Sequence, residues 1–174
     1  MIKLLETRQD AEKLEAASPL EETLVDILDL SLQVEQGRWR LNGPGSSRIH
    51  RRLDDFRSQY RFWDQELSGR LESPSGERLA TLAAATPLEL PRAGQLRDKD
   101  VIVFFDGRFT KVADRVRSRR ALIGAEDGVA GDLLDLIAAG LERQGWMLRA
   151  DIENRNRSSA PGSESAARRD PSAA

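Results

Sequence analysis

Between two breaker segments, Asn42-Gly43-Pro44-Gly45 and Ser73-Pro74-Ser75-Gly76, the apolar residues Ile49, Leu53, Phe56, Tyr60, Trp63, Leu67 and Leu71 advance by 4, 3, 4, 3, 4 and 4 positions. A strand facing one core would show alternation by two, whereas steps of three and four return each side chain to one side of a helix. The spacing therefore predicts a helix over residues 46–71 whose single apolar seam runs close to a heptad rhythm. Such a helix cannot bury its seam alone and needs helical partners.

Three further segments supply them. Ser18-Pro19-Leu20-Glu21 places an N-cap, a proline in the first turn and a glutamate where a capping box needs one. The helix it opens carries Leu20, Leu24, Ile27, Leu28, Val34 and Leu41. Val101, Phe105, Phe109, Val112 and Val116 mark a helix over roughly 98–123, and Leu133, Leu134, Ile137, Leu141 and Leu148 one over roughly 127–154. Residues 3–16 read as a short polar helix and 77–85 as a short helix in the connection between the second and third long ones. The βαβ alternation is missing, and the one β-like stretch, 101–105, lies inside a helical period. The expected fold is all-α: an antiparallel four-helix bundle spanning 18–155, preceded by an extension over 1–17. From Arg155 onward only alanine is apolar, so residues 156–174 are expected to be a disordered Arg/Ser/Ala tail.

Composition narrows the chemistry. Cysteine is absent, which excludes thiol nucleophiles, iron–sulfur clusters and Cys-based zinc sites. One histidine, His50, excludes a multi-histidine metal site within one subunit and leaves no second imidazole for a hydrolytic triad. No phosphate-cradling Gly-rich loop follows a strand; Gly43-Pro44-Gly45 is a helix break. The 27 basic and 29 acidic side chains give a net charge of -2, so no global basic field marks a nucleic-acid binder. Within the basic set, 23 Arg against 4 Lys favours the guanidinium fork that grips phosphate and carboxylate, although a GC-rich genome produces the same bias. No apolar run approaches 18 residues and the N-terminus lacks a signal-peptide core, so a soluble cytoplasmic protein without membrane contact is expected.

Particular residues then carry a resemblance. Gln36, Trp39 and Gly43 form a Gln-x-x-Trp-x-x-x-Gly frame, followed by His50 seven residues on and Asp54 four beyond. Thr86-Pro87-Leu88 lies in the connection, and Trp146 with Arg149-Ala150-Asp151-Ile152-Glu153 closes the last helix. Over residues 19–154 this pattern resembles the Dps family, the DNA-binding proteins from starved cells. The resemblance implies a ferritin-like bundle assembled into a hollow homo-dodecamer. Typical members oxidise Fe²⁺ with peroxide, store ferric mineral, and in many cases bind DNA.

The family's five ferroxidase positions fall here on Arg38, His50, Asp54, Gln65 and Gly69, so two of five ligands remain. On one helix Asp54 and Gln65 stand about 16 Å apart in rise, so the two halves of such a site must come from different subunits. The remnant His50 and Asp54 are thus the only carried-over metal residues, and iron is an implied rather than an assured ligand. Arg38, a cation that cannot be deprotonated, could pair with Asp54 in the metal's place, or point outward and leave Asp54 solvated. Asp64 or Glu66 could replace Gln65 only by a register shift, since each is about 100° away around the helix. His50 has the competing reading of a hydrogen-bonded structural residue.

The resemblance also suggests pore acids near the start of the fourth helix, for which Glu126, Asp127 and Asp132 are the candidates; the alternative is that they complement the helix dipole. DNA contact would fall on Arg155, Arg157, Arg168 and Arg169 of the tail, with Arg115, Arg117, Arg119 and Arg120 as a second candidate surface. The apolar seams, with Trp39, Trp63 and Trp146, are expected to build the shell without iron. The leading expectation is a Dps-like dodecameric shell for DNA and stress protection, with iron sequestration secondary and a non-functional ferroxidase centre. Two alternatives stay open: an iron-storing mini-ferritin with a relocated site, and a structural subunit co-assembling with an active paralogue.

Overall fold

The computed structural model describes residues 18–42, 46–71 and 96–158, without the side chains of 126 and 155–158. The short helices expected over 3–16 and 77–85, and the tail from 159 onward, lie outside the described residues. Helix α1 spans Pro19–Arg40. Its capping box closes in both directions: the Glu21 N–H donates to Ser18 Oγ at 3.2 Å, and the Ser18 N–H to Glu21 Oε2 at 2.9 Å. Helix α2 spans Ser46–Ser68, α3 Asp98–Arg120 and α4 Gly128–Ser158, with a 3₁₀ turn at Ala125–Asp127 leading into α4.

Six of the seven seam residues on α2, from Ile49 to Leu67, are buried. Leu71 lies past the helix end and packs half-buried on the core. They meet Leu24, Ile27, Leu30 and Val34 of α1, Val101, Phe105, Phe109, Val112 and Val116 of α3, and Leu134, Ile137, Leu141 and Leu148 of α4 in one cluster. Burial of each such large side chain contributes about 1.5–3 kcal/mol, which is why the seams dictate the fold. Phe109 anchors the centre, edge-on to Phe56 at 5.5 Å and stacked on Phe105 at 5.7 Å. Two glycines let helices approach: a Cβ at Gly37 would fall 2.7 Å from the Phe105 ring, and one at Gly140 would fall 2.4 Å from the Trp63 indole.

Cross-helix contacts fix the directions. Arg38 meets Asp54 and Arg57 meets Glu35, so α1 and α2 are antiparallel. Arg119 meets Glu22 while Arg115 meets Asp26, so α1 and α3 are antiparallel too. Arg52 meets Asp151 and Tyr60 meets Gln144, which makes α2 and α4 antiparallel. Consequently α2 and α3 run the same way, so the end of α2 and the start of α3 lie at opposite ends of the bundle. The residue pair at its far end agrees: Leu96 bridges to Leu41, beside the end of α1, with Leu96 N–H donating to Arg40 O at 3.0 Å. Neighbouring helices are antiparallel, and one long crossover joins the two hairpins, as in the ferritin-like bundle.

Two expectations about element limits change, and one about the core. Helix α2 ends at Ser68, not near Leu71, because Gly69 follows and the chain turns there. Helix α4 runs on through Arg155 and Arg157 to Ser158; low apolar content does not stop a helix whose next breaker is Pro161. Leu28 is 37 % exposed instead of joining the core.

Candidate functional site

The end of α1 and the start of α2 lie side by side because only a short break joins them, and this places Arg38 against Asp54. The Arg38 Nε stands 2.9 Å from Asp54 Oδ1. Glu35, one turn earlier on α1, lies 3.9 Å from Arg38 Nη1 and 3.4 Å from Arg57 Nη1 of α2. Two guanidiniums and two carboxylates thus alternate along the α1–α2 groove. The Arg38 Nε–H is not aimed along a hydrogen-bond axis, so the contact is an ion pair between side chains 35 % and 46 % exposed. His50, half-buried, lies one turn before Asp54 on α2. Of the two arrangements left open by the sequence, the structure shows Arg38 paired with Asp54 within one chain.

The donor set does not suit an iron ion. A divalent cation would meet one imidazole and one carboxylate there, and that carboxylate already faces a permanent cation. Gln65 and Gly69 are both exposed, and Gly69 lies beyond the end of α2, where its N–H donates to Gln65 O at 2.9 Å. The two acids flanking Gln65 are engaged elsewhere: Asp64 accepts from Ser68 Oγ at 3.2 Å, and Glu66 faces Arg70 at 3.6 Å. Among the described residues, no group of three or more His, Asp and Glu is placed to hold a metal ion.

The other candidates separate. Asp127, in the 3₁₀ turn, accepts the Ala130 N–H at 3.1 Å, a capping contact at the start of α4. Asp132 is exposed on the first turns of α4, and of Glu126 only the backbone position in the 3₁₀ turn is described. Arg155 and Arg157 sit on the last turns of α4, while Arg168 and Arg169 lie outside the described residues.

The arginines of α3 are not an open basic surface. Arg115 and Arg119 converge on the buried Asp26 carboxylate at 2.8 and 2.6 Å, and Arg119 also holds Glu22 at 2.7 Å. Arg120 pairs with Asp135 at 3.0 Å, and Arg117 with Glu142. Of these four arginine side chains only Arg117 is close to half exposed. Their spacing around the helix faced them toward carboxylates on α1 and α4, which a single-helix reading cannot see.

Sequence reasoning also missed the outward apolar residues. Trp39 is 73 % exposed and Trp146 63 % exposed, so of the three tryptophans only Trp63 is core in the single chain. Leu28, Leu32 and Trp39 share one side of α1, and Val129 and Leu136 one side of α4. Their i, i+4 and i, i+7 spacing was the signal.

Known proteins resemble the chain in the same way. No family model matches it. A DNA protection during starvation protein from Deinococcus radiodurans is 28 % identical over 139 residues, covering 78 % of this chain; the chain spans only 57 % of that relative's length. The protein of the same name from Agrobacterium fabrum is 25 % identical over 143 residues, covering 79 % of this chain and 87 % of the relative. In structure, Dps92 from Deinococcus radiodurans superposes with a TM-score of 0.70 at 27 % identity, covering 78 % of this chain and 84 % of that one. Mycobacterium smegmatis Dps gives a TM-score of 0.69 at 20 % identity, covering 89 % of both chains.

Proposed function

We propose, from the premise that this chain is a Dps-family four-helix bundle, that it forms a homo-dodecameric shell that associates with DNA and does not oxidise iron at the usual inter-subunit centre. The observation that carries the reading is the Arg38–Asp54 contact at 2.9 Å. A covalently tethered cation stands where Fe²⁺ substrate would need an anionic, imidazole-bearing cradle. Binding iron there requires expelling a guanidinium from its carboxylate while bringing one positive centre close to another. Both halves of the composite site are affected, since the positions a neighbouring copy would contribute hold Gln65 and Gly69.

Assembly is supported by apolar surface that a lone chain leaves open. Leu32 at 64 %, Trp39 at 73 % and Phe62 at 50 % exposure lie on α1 and α2, and Trp146 at 63 % on α4. Large exposed side chains in rows mark faces that another surface covers. A shell would leave Glu126, Asp127 and Asp132 grouped near the start of α4, where they are the candidate pore acids. DNA association would draw on Arg155, Arg157, Arg168 and Arg169, each phosphate contact weak alone and repeated over the copies of a particle. This reading places the protein in the cytoplasm, on the nucleoid.

Anaerobic Fe²⁺ titration of the purified particle, followed by peroxide, tests the first half. The expected result is no saturable uptake per subunit and no peroxide-dependent oxidation. Saturable, tight binding followed by peroxide-driven oxidation would refute it. Particle mass in solution tests the second half: a stable monomer would end the shell reading.

A further inference from the structure

Antiparallel packing sets the start of α1 beside the end of α3, where Arg119 holds Glu22 at 2.7 Å. An open groove of about 660 Å³ runs along this seam, lined by Glu22 of α1, by Lys111, Arg115, Ser118 and Arg119 of α3, and by Leu122 just past the helix end. Its polar side chains are mostly engaged elsewhere. The guanidiniums of Arg115 and Arg119 converge on buried Asp26 at 2.8 and 2.6 Å, and Ser118 Oγ donates to Asp114 O at 3.0 Å. A guanidinium anchored inward leaves its methylene stem as the wall, so the groove presents aliphatic surface despite its arginines. Leu122 extends that surface and, at 75 % exposure, is the most exposed large apolar side chain among the described residues. A lone exposed leucine needs no explanation, but one continuous with an aliphatic groove marks surface that something covers.

We propose that residues 1–17 of the same chain fold back along this groove, with Leu14 against Leu122 and Leu4 toward Lys111. These 17 residues join the body at Ser18, one turn from Glu22. Beside a capping box, the residue before the N-cap commonly packs against the fourth helical residue, which here is Glu22 itself. A helix over 3–16 places Leu4, Ala11 and Leu14 on one side, at steps of seven and three. Leu4 to Leu14 would span about 15 Å of such a helix, close to the rise of about 16 Å from Lys111 to Leu122. A segment this short is marginal as an isolated helix and needs a surface for its apolar side. The chain beyond α4 is a poorer occupant. Helices α3 and α4 are antiparallel, as Arg120 with Asp135 and Arg149 with Asp106 show, so α4 ends at the opposite end of the bundle. Residues 159–174 also offer only alanine as apolar content. The proposal requires neither assembly nor DNA binding, so it stands or falls apart from the function proposed above.

The absence of cysteine permits a direct test on the full chain. Ala11→Cys is combined either with Ser118→Cys in the groove or with Arg70→Cys, an exposed position just past the end of α2, at the same end of the bundle. Under copper–phenanthroline oxidation the groove pair should form its intramolecular disulfide at least about tenfold faster, because docking raises the effective concentration. In a second arm, tryptic cleavage after Arg8 is followed by mass spectrometry. Leu122→Glu and Leu14→Glu should each speed that cleavage about tenfold, as loss of one leucine's burial implies, and together no more than either alone. Equal oxidation of the two cysteine pairs would overturn the proposal, as would cleavage unmoved by Leu122→Glu or accelerated additively by the two changes. Disulfides that link two chains would put a neighbouring copy's segment in the groove and overturn it as well.

Discussion

Replacing Arg119 by leucine distinguishes a structural guanidinium from a DNA-binding one. Arg119 is 7 % exposed and contacts Asp26, itself 1 % exposed, at 2.6 Å and Glu22 at 2.7 Å. Removing one partner of a buried ion pair ordinarily costs about 3–5 kcal/mol, because a charge is stranded. Here Arg115 remains on Asp26 at 2.8 Å, and Glu22, 42 % exposed, can turn to water. The loss therefore reduces to one charge-assisted hydrogen bond, plus some packing of the arginine stem, or about 2–3 kcal/mol. At roughly 2–4 °C per kcal/mol for a chain of this size, Arg119→Leu should lower Tm by about 4–12 °C. The double variant Asp26→Leu/Arg119→Leu removes both buried charges at once and should cost at least about 1 kcal/mol less than the sum of the single changes. Thermal unfolding at one fixed protein concentration reads both quantities, and duplex binding by Arg119→Leu should keep the unaltered salt slope. A Tm unchanged within about 2 °C, strict additivity, or a lowered salt slope would each refute the account.

Gly140→Ala should destabilise by about 2–3 kcal/mol, because the new Cβ would lie 2.4 Å from the buried Trp63 ring; denaturant unfolding checks it. Asp29 is partly buried, and burial first, then repulsion from Asp26, raises its carboxyl pKa against the opposing pull of Arg108, the Gln33 hydrogen bond and Arg115. The folded state therefore binds that proton more tightly than the unfolded state, and stability falls as pH rises from the unfolded to the folded pKa. Asp29→Asn, which can keep the Gln33 contact, should raise Tm more at about pH 7 than at about pH 3, and an equal gain at both would contradict this. Restoring the ligand set with Arg38→His, Gln65→Asp and Gly69→Glu should confer saturable Fe²⁺ binding on the assembled particle, with less gain from Arg38→His alone. The Arg38–Asp54 pair is half exposed, so its loss should cost under about 1 kcal/mol, and a folded triple variant that binds no more iron than the unaltered chain would sink the interpretation.

The sequence by itself determined the helices and their buried faces. These are properties of local pattern: Ser18 and Glu21 close a capping box three residues apart, and Ile49 to Leu67 repeat with the helical turn whatever they pack against. Even the resemblance rests on short spacings, Trp39 to Gly43 and His50 to Asp54. Which charges meet was decided by the tertiary structure. Arg115 finds Asp26 across 89 positions, Arg119 finds Glu22 across 97, and Arg52 finds Asp151 across 99. A periodicity says which side of a helix a residue occupies but not what stands opposite. That is why the arginines of α3 read as a candidate binding surface and proved paired. Only the folded neighbourhood, where desolvation strengthens each ion pair that forms and penalises each that does not, could set Arg38 on Asp54 and leave Arg51 unpaired among the described residues.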